Sequence, residues 1–145
     1  MRVRFGDCRP DLMRGAMIGR LHHVVVDCPK PAVLADFYSA LLGLTVTYTS
    51  DDWVVIAKND TTSGVAFQLS PDHQPPQWRD PGHPQQFHLD VMVDDLDAAG
   101  REVLELDGRL LEAEDHVYAD PAGHPFCLIP RPAWADPIHP PGCSP

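Results

Sequence analysis

Little in this chain is basic, little is cysteine, and none of it is a long apolar run. Only 11 of its 145 residues are Lys or Arg against 21 Asp or Glu, a formal net charge of -10. That balance argues against a nucleic-acid or anionic-membrane partner, both of which favour basic surfaces. No apolar stretch approaches the roughly 18–20 residues of a membrane-spanning helix. The four cysteines, Cys8, Cys28, Cys127 and Cys143, form no C-x-x-C pair and no zinc-ribbon spacing. Cys28 and Cys127 fall in apolar, strand-like segments and the other two in the tails, the pattern of reduced thiols rather than of a disulfide framework. Met1 to Arg14 is polar with four arginines. No signal-peptide apolar region is present there, so cytoplasm is the expected compartment.

A hydrophobic fraction of 43% suits one globular core at this length. The chain repeats itself. Segment 21–44 (LHHVVVDCPKPAVLADFYSALLGL) and segment 86–109 (QFHLDVMVDDLDAAGREVLELDGR) align without a gap when His23 is placed over His88, which also sets Val26 over Val91 and Gly43 over Gly108. Each reads as a strand, a short polar turn, a helix and a glycine stop. In the first helix Pro31 suits the N1 position, and Leu34, Phe37, Tyr38 and Leu41 recur at helical spacing. In the second, Asp94 or Asp95 caps, and Leu96, Ala99, Val103 and Leu106 form the buried stripe. Strand candidates follow at 45–49, 53–57 and 65–69, and again at 109–111, 116–119 and 126–129.

The expected organisation is an N-terminal extension over residues 1–19 with Met13 and Met17 as alternative starts, a first module over 20–70, a Pro-rich linker over 71–84, a second module over 85–132 and a Pro-rich tail over 133–145. The fold class is α+β: two βαβββ modules, each burying one sheet face, joined into a cup-shaped, partly open barrel.

Strand alternation selects the candidate site. In the first strand of each module His23 and His88 point away from the helix, with Asp90 on the face of His88, while His22 is expected on the opposite face from His23. In the last strands Gln68 and Cys127 point the same way. Four strands thus each offer one coordinating side chain among apolar neighbours. Trp53, Phe67 and Tyr118 are aromatic candidates for holding a ligand, against the plainer reading of core packing. Cys127 is a thiolate ligand, a reactive thiol or a small buried hydrophobe. Asp90 is a base, an orienting partner for an imidazole, or an ordinary strand-end carboxylate. His124, in the turn DPAGHPF, suits a structural role, and the linker with His73, Trp78 and His83 is a lid or simply a connector.

The segments LHHVVVDCPKP, AFQLSP, FHLDVMVDDLDAA and DPAGHPFCLI resemble the four ligand-bearing strands of the vicinal-oxygen-chelate superfamily, in its glyoxalase-like and bleomycin-resistance-like branch. The resemblance covers residues 18–132. It implies a metal site from His23, Gln68, His88 and Cys127, holding one divalent ion (Zn, Ni, Mn or Fe) or none, and a homodimer. Gln68 and Cys127 stand where metal-dependent members carry carboxylates, which disfavours glyoxalase I and extradiol dioxygenase activity. Two functions follow from the resemblance: a metal-dependent lyase or isomerase acting on an oxygenated metabolite, with Asp90 as candidate base, or a metal-free cup that sequesters an aromatic or antibiotic-like molecule.

Overall fold

The structure, a computed structural model, describes residues 18–139. The expected extension up to residue 17, with Cys8, Met13 and Met17, lies outside the described residues, as does Cys143. The first module comprises β1 (His23–Cys28), α1 (Pro31–Leu42), β2 (Thr45–Thr49), β3 (Trp53–Ala57) and β4 (Gly64–Leu69). The second comprises β5 (Leu89–Val93), α2 (Leu96–Glu105), β6 (Arg109–Glu112), β7 (Val117–Ala119) and β8 (Pro125–Pro130). Each builds one four-stranded mixed sheet, in the order β1-β4-β3-β2 and β5-β8-β7-β6. The first and last strands of each module run parallel and the other pairs antiparallel. The duplicated sequence folds into duplicated topology, two βαβββ units. No helix among the described residues is long and apolar enough to cross a membrane.

Local chemistry explains the helix ends. Pro31 opens α1, where its missing N–H costs nothing, and Gly43 closes it at φ 65, a left-handed conformation that is cheap without a Cβ. Asp95 caps α2 by accepting from the Ala98 N–H at 2.8 Å. Asp94, the other candidate cap, instead takes Arg131 and the His139 N–H, which holds the irregular tail against the start of α2. At the far end of α2 the left-handed residue is Asp107 (φ 68), not Gly108. The Gly108 N–H returns to the Val103 carbonyl at 2.9 Å, a Schellman closure. Glycine is needed at 108 for room, because a Cβ there would lie 2.5 Å from Val103 Cγ1.

Both modules feed one core. Val26, Cys28, Val54, Ile56 and Phe67 from the first sheet join Val91, Tyr118, Phe126 and Leu128 from the second, with α1 between them. Phe37 meets Phe126 edge-on at 5.9 Å, and Tyr38 stacks on Phe67 at 5.5 Å. Each such ring contributes about 1.5–3 kcal/mol by burial. Burial also pushes the Cys28 thiol up to about 11, so it behaves as a packed hydrophobe. The expected linker folds as an ordered strap against the second module. Trp78 Nε1 and the Arg79 guanidinium each donate to Glu112 at 2.8 Å, and the Gln77 N–H donates to the His83 carbonyl at 2.8 Å.

A polar clasp fixes the modules to each other. The Asp120 carboxylate is fully buried and accepts from Tyr38 Oη (2.8 Å), the Ala122 N–H (2.9 Å), and both the N–H (3.0 Å) and Nδ1 (2.8 Å) of His124. His124 Nε2 lies 2.9 Å from the Asp27 carbonyl. A carboxylate on one ring nitrogen and a carbonyl on the other both accept, so His124 is held as an imidazolium. Burial opposes its charge, but the Asp120 hydrogen bond and charge, with the Asp27 carbonyl, outweigh burial and raise its pKa. Tyr38 and Asp27 belong to the first module, Asp120 and His124 to the second.

A raised folded-state pKa gives a stability contribution that is complete below the ordinary histidine value of 6.5 and disappears as pH rises through the folded value. His124→Ala should therefore cost about 3–5 kcal/mol near pH 6, because it strands a buried carboxylate. Urea unfolding of both proteins near pH 6 and near pH 9 should show the gap narrowing at the higher pH, whereas an unchanged gap would mean that His124 is neutral in the fold.

Candidate functional site

In the second module, the residue just before β5 and two strand positions bring three donors together. Asp90 pairs with Cys127 across the parallel β5–β8 ladder, so both side chains project from the sheet face opposite α2. His88, two residues earlier, extends over the same face, and its Nε2 lies 3.2 Å from Asp90 Oδ1. The ligand atoms of His88, Asp90 and Cys127 all lie within 4.8 Å of one another. Two ligands on a tetrahedral ion at about 2.0–2.3 Å stand roughly 3.3–3.8 Å apart, so small side-chain rotations close the trio on one ion. An imidazole, a carboxylate and a thiol form a donor set that suits a borderline-soft divalent cation. Without an ion the Cys127 pKa is raised, by burial first and then by the Asp90 and Asp115 carboxylates, which makes it a poor nucleophile.

The first module does not repeat this chemistry. Ala66 pairs with Val25 as Cys127 pairs with Asp90, so the counterpart of Cys127 is Ala66 rather than Gln68. Gln68 pairs with Asp27 and His23 with Gly64, which separates Gln68 from His23 by four positions, about 13 Å at ~3.3 Å per residue. The four residues expected to share an ion are thus not gathered within one chain: His88 and Cys127 meet, and His23 and Gln68 stand apart. His23 Nδ1 accepts from the Gly64 N–H at 3.2 Å, and burial followed by neighbouring His22 lowers its pKa. It lines a hollow of about 540 Å³ with His22, Tyr48 and Trp53. His22, expected on the opposite face, stacks on His23 with ring centroids 3.7 Å apart. It precedes β1, so strand alternation does not govern it.

Of the aromatic candidates, Trp53 is half-buried beside His23. Phe67 and Tyr118 are core residues, 0% and 6% exposed. Tyr118 stacks on Phe126 and lies beneath α2, where Gly100 leaves room for its hydroxyl.

A second hollow is not visible in strand alternation. A cleft of about 630 Å³ lies between the β1 edge, the strap, the start of β5 and the turn before β8. His88 lines it, so it adjoins the three-donor cluster, and Asp27, Gln68, His73 and His124 line it as well. His73, on the strap, packs its ring 4.7 Å from that of His124. Its pKa is lowered, by burial first and then by the His124 charge. The clue in the sequence was the density of His, Gln and Pro between 73 and 88, which carries no regular period and so no face.

A family model described as a glyoxalase-like domain matches residues 23–129. Among curated proteins none matches the sequence. Among solved structures the chain is similar to the fosfomycin resistance protein FosX from Mesorhizobium loti (TM-score 0.59, 15% identity, 81% of this chain and 95% of that one). It is also similar to a glyoxalase/bleomycin resistance/dioxygenase family enzyme from Burkholderia phytofirmans (TM-score 0.58, 15% identity, 76% and 97%) and to a possible glyoxalase from Bacillus cereus (TM-score 0.56, 16% identity, 78% and 99%). At these identities the likeness is one of fold.

In metal-free protein the Cys127 thiol should alkylate slowly at neutral pH and faster as pH rises, and added zinc should protect it. Peptide mass mapping after iodoacetamide treatment reads this directly, and rapid zinc-insensitive labelling at neutral pH would remove Cys127 from the ion site.

Proposed function

Because the chain belongs to the glyoxalase-like domain family, we propose that it is a small-molecule protein whose reactive centre is the His88–Asp90–Cys127 cluster, working with one divalent ion as a lyase or isomerase on an oxygenated metabolite. The observation that supports this is the convergence of three unlike donor atoms within 4.8 Å at the mouth of a cleft. A divalent ion there supplies Lewis acidity to adjacent oxygens of the substrate. The side chains divide the remaining work. His88 presents a ring nitrogen and is oriented by Asp90 Oδ1, which leaves Asp90 Oδ2 as the proton acceptor of the cluster. The strap forms one side of the cleft. A cluster of one imidazole, one carboxylate and one thiol differs from the two-imidazole, one-carboxylate set of iron dioxygenases, which supports leaving that activity aside.

A second reading has its own observation. The cleft is roomy enough for a drug-sized molecule and combines apolar walls with amide and imidazole groups, which suits sequestration without metal, in the manner of a resistance protein. The homodimer stands as a proposal in both readings: pairing by a two-fold axis is the commonest assembly, and a partner's first module would supply a further imidazole.

Metal analysis of protein purified without chelator separates the two readings. About one ion per chain is expected, retained in His23→Ala and lost in His88→Ala and Cys127→Ser, with a thiolate charge-transfer band after Co(II) loading that Cys127→Ser abolishes. Loss of metal in His23→Ala as well would make the site a shared one between copies. Absence of metal even after Zn, Ni, Mn or Fe(II) is added would eliminate the enzyme reading and leave the binding cleft.

A further inference from the structure

The cleft has a chemical preference of its own, and we propose that it takes an organic cation: a protonated amine or amidine carried on a compact apolar body. This rests on reading the cleft as a small-molecule site, and it adds the class of molecule.

Charge carries the argument. Among the described residues, no Lys or Arg lines the cleft. The imidazolium of His124 is cancelled by the carboxylate of Asp120, which it touches. The Asp27 carboxylate, on β1, stands exposed at the wall and makes no ion pair with any described residue, its backbone carbonyl alone being used by the clasp. An anion entering here meets a free carboxylate inside a protein of net charge -10, while a cation meets its counter-charge.

The unmet polar atoms agree. Gln85 Oε1 and His73 Nε2 are buried with no hydrogen-bond partner among the described residues, and both residues line the cleft. An amide oxygen, an imidazole nitrogen and a carboxylate can each accept, which suits a guest rich in N–H donors. The apolar part has a place too. Val25 and Phe87 line the cleft and are 41% and 57% exposed, surface that a ring or short alkyl chain would cover.

The test uses three near-isosteric probes, 2-phenylethylamine, 2-phenylethanol and 3-phenylpropanoate, titrated into the full ¹⁵N-labelled chain and followed by amide shifts. The amine should move the amides around Asp27, Phe87 and the strap and bind roughly five- to tenfold more tightly than the alcohol, with the carboxylate weakest. Asp27→Asn, a change at an exposed side chain, should erase the preference of amine over alcohol. Phe87→Ala should weaken both alike. Equal or tighter binding of the carboxylate, or an amine affinity indifferent to Asp27→Asn, would overturn the cation assignment while leaving the cleft a binding site. Absence of shifts with all three probes would overturn the assignment together with the reading of the cleft on which it rests.

Discussion

The buried carboxylate of Asp120 is the constraint on which the rest of the molecule depends. A charge removed from water is tolerated only when its lone pairs are filled, and here Tyr38, Ala122 and His124 fill them. Because the tyrosine comes from the helix of one module and the histidine from the other module, the demand for satisfaction becomes a demand for one relative placement. The apolar contacts between Phe37 and Phe126 supply much of the attraction, but they tolerate sliding. The clasp does not, since hydrogen bonds fail when geometry shifts by a fraction of an ångström. Tyr38 and His124 of this clasp also line the cleft, so the device that aligns the modules also shapes the site.

Duplication has produced symmetry of fold without symmetry of chemistry. The two sheets share strand order and register, yet Val25 and Ala66 occupy the positions that Asp90 and Cys127 occupy in the second module. Gathering the coordinating groups on one sheet frees the first module for a different role. Its edge strand β1 contributes Val25 and Asp27 to the cleft and the Asp27 carbonyl to the clasp. The strap between the modules, stapled through Trp78 and Arg79 to Glu112, completes the wall that neither sheet could supply.

Much of this was written in periodicity. Pro31, Gly43 and the Leu34–Phe37–Tyr38–Leu41 spacing determine α1, and the offset between His23 and His88 reveals the second copy. Alternation puts Asp90 and Cys127 on one face, and the ladder pairs them there. It misled at Gln68, because the parallel register of the last strand against the first is set by pairing across forty residues, and a shift of two keeps the face while moving the position. It misled at His22, which lies outside the strand. Phe67 and Tyr118 could not be told from ligand-binding rings because an aromatic side chain suits either environment.

By itself the sequence determined the two βαβββ units, the helix ends, the apolar faces and the family, since these depend on local propensity and on a period that reads off directly. Only the tertiary structure decided which donors meet, that the linker is a wall and not a tether, and that His124 carries a charge held between two modules. Those outcomes depend on distances between segments far apart in the chain, and on the field that each group feels once water has been excluded, and neither is encoded in the spacing of residues along it.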